Sequence, residues 1–210
     1  MKLVTGLWIL LLSGLLAGAD AYAQQGPPLA AQTPPTITST LQFQLTIVER
    51  EIESVADAMP EDKYSFAPTN GNFAGVRTFA QQVKHIALEN NRFFDSITGA
   101  TPPVAPNESD NGPDSIATKA QIVQYLKDSF DKGHKAIATI TAENAVTPLP
   151  NPAAGFLGTR MALAVFACTH AMDHYGQMVE YLRDVGGTPP FSQRRPPANA
   201  PANPPAAPKQ

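Results

Sequence analysis

One cysteine, Cys168, in a chain of 210 residues leaves no intrachain disulfide to be formed, so the fold must be held by packing or by a bound ion. No dense run of lysine and arginine occurs and the formal charge is −3, which excludes the clustered positive surface that a phosphate backbone requires. Nucleic acid is therefore not an expected partner. No glycine-rich nucleotide-binding motif is present. No run of alternating valine, isoleucine and threonine bounded by turn residues survives inspection, which leaves an all-α fold class. The one long apolar run, Leu7 to Leu16, is short for a membrane span.

What is present at the ends is compositional. Met1 and Lys2, the apolar run and the small residues of Ala21 to Ala23 read as a cleavable signal peptide over 1–23, cut after Ala23. The expected location is periplasmic or secreted, with no stable membrane insertion once the signal is gone. Residues 24–35 and 191–210 are rich in proline, alanine, glutamine and asparagine and read as a disordered linker and tail, because they cannot bury enough apolar surface to offset ordering entropy. Between them, 36–190 suits one domain with one hydrophobic interior.

Four amphipathic helices are predicted in that core. The first opens on a capping box at Ser39 to Gln42, carries Leu41, Leu45, Val48, Ile52 and Val55 at helical spacing, and stops before Pro60. The second starts at Thr78 with Gln81, buries Phe79, Val83, Ile86, Asn90 and Phe94, and ends at Gly99. The third opens at Thr118 with Gln121, carries Ile122, Tyr125, Leu126, Phe130, Ile137 and Ile140, and is closed by Pro148 and Pro150; Gly133 weakens it slightly. The fourth runs from Thr159 to Asp184 and stops at Gly186 and Gly187. Such a set makes a four-helix bundle, where metal sites are built by side chains projecting inward from facing helices. Two long connections, 59–77 and 100–117, could form the mouth of a cavity.

The chemistry concentrates in the fourth helix. Leu163, Phe166, His170, His174, Gln177 and Tyr181 share one stripe, so two imidazoles four residues apart point into the bundle, where both can grip one ion. Two buried imidazoles without an ion would each need a separate hydrogen-bond partner. A catalytic ion usually takes three protein ligands, and the remaining histidines, His85 and His134, are the candidates for the third. His134 lies in the charged stretch DKGHK, a natural solvated face, so His85 is favoured; Glu89, four residues on, could be a ligand or could hydrogen-bond one. Asp173 beside His174 reads as a hydrogen-bond acceptor for a ligand imidazole, as a base, or as a plain solvated carboxylate. Cys168 is turned away from the histidine face and reads as a small core residue.

Two segments carry a family resemblance across the core. MPEDKYSFAPTNGNFAGVRTFAQQVKHIALENN, Met59 to Asn91, and HAMDHYGQMVEYLRDVGGTPP, His170 to Pro190, resemble in order the two signatures of the DinB-like (DinB/YfiT-like) metalloenzymes. The resemblance implies an up-down-down-up four-helix bundle that often forms a homodimer, with His85, His170 and His174 as the metal ligands. It gives Gln177 and Arg183 structural or supporting positions and places Tyr175 where many relatives carry arginine, which puts any role of that arginine in doubt here. Tyr64 and Phe66 belong to the first signature and either line the mouth of the site or pack the loop onto the bundle.

The expected function is binding of a divalent metal, zinc or nickel, at an open position where bound water or thiol is activated, giving a metal-dependent hydrolase or a thiol transferase of unassigned substrate. Export fits badly with low-molecular-weight thiol cofactors, which belong to reducing cytoplasm. Two rival readings are a non-catalytic metal-binding or stress-associated module with a closed ligand shell, and a metal-free helical interaction domain.

Overall fold

The computed structural model describes residues 34–100, 109–149 and 158–193. The expected signal peptide and most of the linker and tail lie outside them. From Pro35 onward the chain forms one unit built from α1 (Ile37–Ala58), α2 (Phe79–Thr98), α3 (Lys119–Ile137) and α4 (Arg160–Asp184), with single 3-10 turns at Glu61–Lys63 and Pro190–Ser192. The four helices make a four-helix bundle. Among the described residues the only β pairing is an isolated bridge between Pro148 and Thr159, and no helix is long and apolar enough to cross a membrane.

Helix starts follow capping chemistry, with one shift from the sequence expectation. Thr78 with Gln81 and Thr118 with Gln121 form reciprocal capping boxes at the starts of α2 and α3. In α1 the box is Thr36 with Ser39, so Ser39 is the third helical residue rather than the cap. Gln42 is released from capping, and its amide donates to the carbonyl of His134 at 2.7 Å, tying α1 to α3.

The third helix ends at Ile137, well before the prolines expected to close it. Local side-chain bonds take over from the helical ladder there: Asn144 accepts from the Thr141 amide at 2.9 Å and donates to the Thr139 carbonyl at 2.9 Å. Ile140 is still fully buried, but it reaches the core from a turn.

Packing runs in a ring in which α1 touches α3 and α4, and α2 touches the same two. The sequence-adjacent pairs α1/α2 and α3/α4 therefore sit across the bundle from each other. Val48, Ile52, Phe79, Ile86, Phe94, Leu126, Phe130 and Leu163 are fully buried in the single core. At Gly133 α3 lies close against its neighbours: a Cβ built there would lie 2.5 Å from the Phe94 ring and 3.0 Å from Leu45. The residue that costs helix propensity is thus what permits close contact. Gly133→Ala is expected to destabilise the fold by about 1–3 kcal/mol despite alanine's better propensity, read as a lower urea midpoint with unchanged slope.

Candidate metal centre

His85 comes from α2 and His170 and His174 from successive turns of α4, and the contact between those helices brings the three rings to one point. Nε2 of His170 lies 3.2 Å from Nε2 of His85 and 3.2 Å from Nε2 of His174. One nitrogen of each lies within 4.8 Å of the others. His85 and His174 are buried and His170 is half-buried.

The outer nitrogens decide which way the lone pairs face. His85 Nδ1 is 2.6 Å from the backbone carbonyl of Asp110; a carbonyl only accepts, so Nδ1 carries the proton and the Nε2 lone pair points inward. His174 Nδ1 is 2.5 Å from Oε1 of Gln82, with the same consequence. The His170 ring is placed by packing, stacked on Phe166 with centroids 5.9 Å apart and edge-on to Phe93 at 5.8 Å, and its buried Nδ1 has no hydrogen-bond partner.

Burial keeps all three imidazoles neutral. It lowers His170 to about 4, with His85 adding repulsion, and His174 to about 3, with His170 and His85 adding theirs. His85 is lowered as well, burial outweighing the Asp110 carbonyl. Two lone pairs thus face a His170 nitrogen whose single proton can serve only one of them. A divalent ion would accept from all three at once, and a tetrahedral ion bound at about 2.0–2.1 Å sets its nitrogens about 3.3 Å apart, close to the 3.2 Å found here. The donor set fits a borderline ion such as zinc or nickel.

Asp110, which the sequence did not single out, is the loop residue at the rim. Its carboxylate accepts from Arg77 at 2.6 Å and from Arg92 at 3.4 Å, while Arg77 Nε also donates to Asn111 at 2.9 Å. Gly112, at φ 78°, lets this loop lie on α2, since a Cβ there would stand 2.8 Å from the Lys84 Cβ. That contact delivers the Asp110 carbonyl to His85.

The other candidates fall as follows. Glu89 is an ion-pair partner of Arg92, and its carboxylate groups with His85 and Asp110 rather than with the α4 histidines. Asp173 is exposed and accepts from Gln177 at 3.2 Å, and Gln177 in turn accepts from Gln82 at 2.8 Å. His134 lies away from the cluster and is half-buried rather than solvated: Nε2 is 3.0 Å from Glu49, and Nδ1 meets Gln42. Cys168 lies on the α1/α4 contact beside Leu41 and Met172, and burial pushes its thiol up to about 11. Tyr64 donates to the Ala56 carbonyl at 2.7 Å and packs edge-on to Phe79, so it pins the loop. Phe66 packs on Tyr181 and lines a cleft of about 580 Å³ with Phe73, Val76 and Gln177. Arg183 pairs with Glu180 at 2.5 Å on the surface, and Tyr175 is partly buried against the core.

Gln82 was invisible in the sequence because nothing distinguishes it from its neighbour Gln81, which caps the helix. Its position one turn before His85 was the only available signal.

A helical bundle with three inward histidines from two adjacent helices defines the class. The family model of the DinB superfamily matches residues 44–178, more than half of the chain, and the protein belongs to that superfamily. Two solved structures share the fold. A DinB-like protein from Bacillus subtilis is 21% identical with a TM-score of 0.56, covering 74% of this chain and 99% of its own. A conserved protein from Enterococcus faecalis is 17% identical with a TM-score of 0.56, covering 71% of this chain and 96% of its own. No curated protein matches the sequence.

Proposed function

We propose that this is an exported DinB protein in which His85, His170 and His174 hold a divalent ion, zinc or nickel, and that it acts as a metal-dependent hydrolase or thiol transferase. The observation that carries the reading is the convergence of three neutral Nε2 atoms, two of them with the lone pair turned inward by an acceptor on the far side of the ring. The ion would supply Lewis acidity, lowering the pKa of a bound water or thiol. The chain's residues supply the rest. Asp110 and Gln82 orient two ligands, Phe93 and Phe166 exclude water from the third, and the cleft beside Gln177 and Tyr181 offers a place for substrate.

Three protein nitrogens leave a position for an exchangeable ligand, which favours chemistry over a closed structural site. Neither Glu89 nor Asp173 groups with all three histidines, and this supports the open site over the non-catalytic module. A homodimer belongs to the same proposal. The half-exposed Val165 in the α1/α4 groove and the exposed Phe43 offer apolar surface for a second copy.

Elemental analysis of untagged mature protein beside His170→Ala/His174→Ala tests the site. Near-stoichiometric metal in the wild type and none in the double variant is the expected result. No metal in either, after zinc or nickel is added, removes the reading. Hydrolase and thiol-transfer substrates are then screened with the ion found.

A further inference from the structure

The hydrogen bonds behind His174 form a chain with a fixed direction. His174 Nδ1 meets Gln82 Oε1 at 2.5 Å, Gln82 Nε2 meets Gln177 Oε1 at 2.8 Å, and Gln177 Nε2 meets Asp173 Oδ2 at 3.2 Å. Burial falls along it, from Gln82 at 2% exposed through the half-buried Gln177 to the exposed Asp173. An amide can turn over and present either its oxygen or its nitrogen, and a neutral imidazole can carry its proton on either nitrogen. Three of the four members are therefore reversible. Only the ionised carboxylate is not, because it accepts and never donates.

That single fixed member sets all the others. Asp173 requires Gln177 to present its NH₂, which leaves the Gln177 oxygen for Gln82. Gln82 must then present its own NH₂ to Gln177, which leaves its oxygen for His174. His174 in turn must place its proton on Nδ1 and its lone pair on Nε2, facing His85 and His170. We propose that Asp173, a surface carboxylate whose hydrogen bond goes to Gln177 rather than to a histidine, is a positioning residue that selects the metal-binding tautomer of His174 through Gln177 and Gln82.

The proposal deepens the metal reading and rests on it for its purpose, though the tautomer itself exists without an ion. It also explains why two glutamines stand side by side at the wall of the site. Gln82 and Gln177 both line a polar cavity of about 340 Å³ with Arg77 and Asn111, so the chain from Asp173 runs along the cavity wall before it enters the core. His85 needs no such device, since the backbone carbonyl of Asp110 is itself acceptor-only.

The test uses the full mature chain, metal-free, with nitrogen-15 long-range correlation NMR to read the His174 tautomer in wild type, Asp173→Asn and Asp173→Glu. The wild type is expected in the Nδ1–H form. Asparagine presents either an oxygen or an NH₂, so Asp173→Asn should raise the Nε2–H form from a minor to a comparable population, while Asp173→Glu should keep the wild-type pattern. A merely structural role for an exposed helix carboxylate would not move the tautomer. Zinc affinity is measured in parallel: Asp173→Asn is expected to bind about three- to tenfold more weakly, short of the ten- to hundredfold typical of a group touching the ligand directly. An unchanged tautomer in Asp173→Asn, or an Nε2–H wild type, overturns the proposal. Wild-type protein that binds no zinc overturns the metal reading instead, and the tautomer spectra then decide the relay alone.

Discussion

Replacing His85 with alanine is expected to weaken divalent-metal binding by about a hundred- to a thousandfold while leaving the helices formed. Structural sites with four ligands bind zinc with roughly 10–16 kcal/mol, or about 2.5–4 kcal/mol for each ligand, and each 1.4 kcal/mol is tenfold. The loss should exceed the per-ligand share in one respect, since His85 is the only ligand outside α4 and without it the α4 pair alone remains. His134→Ala supplies the contrast. That ring joins α3 to Gln42 and Glu49 of α1 and lies outside the cluster, so its removal should leave metal affinity unchanged and cost about 1–3 kcal/mol of stability. Isothermal titration with zinc and urea unfolding on the two variants should therefore give opposite patterns. A His85→Ala protein that binds zinc as tightly as wild type would place the ion elsewhere.

Acid is the second large lever. His170 and His174 are held to about 4 and about 3 in the folded state, against 6.5 for an unhindered histidine. Well above pH 6.5 both states leave the rings neutral and the full stability of the metal-free protein is present. As pH falls below 6.5 the unfolded chain takes up protons that the folded chain refuses, so stability is lost progressively until the folded rings titrate near 4 and 3. Each group alone changes stability by up to about 1.4 kcal/mol per pH unit, which for the pair is about 3 kcal/mol between pH 6.5 and 5, and solvent reaching the site reduces this to a combined loss on the order of 2 kcal/mol. Most carboxylates are still ionised in that window, which isolates the histidines. Urea unfolding at half-unit steps checks it: the His170→Ala/His174→Ala protein should show a much flatter dependence. Equal slopes in both proteins would show that the rings are not held neutral by burial.

The helices were legible because their signals are local. Apolar spacing marked α1 to α4, and the Thr78 and Thr118 boxes fixed two starts to the residue. Two boundaries escaped for a physical reason. Thr36 and Ser39 both suit a cap, and the helix uses both, Thr36 as the cap and Ser39 as the third helical residue that bonds back to it. The end of α3 depends on Asn144 folding back onto Thr139 and Thr141, a bond between residues that carry no helix-breaking label. The α4 stripe announced His170 and His174 as inward pairs. The partners on the far nitrogens of His174 and His85 were not legible, because Gln82 and the Asp110 carbonyl become acceptors only once α2 and the 109–113 loop are placed in space. A backbone carbonyl has no sequence signature at all.

The separation between the ligands also bears on how the chain holds together. His85 and His170 are 85 residues apart in sequence yet their nitrogens are 3.2 Å apart. Seen as a polymer, the chain carries no covalent crosslink, its one thiol being buried and unpaired. An ion bridging α2 and α4 would be a reversible crosslink closing a loop of that length, and in the chain-entropy picture such a closure removes roughly 4–5 kcal/mol of freedom from the unfolded ensemble. Loading and unloading the ion would then set the chain's resistance to unfolding by proteases, so the occupancy of the site and the lifetime of the protein would rise and fall together.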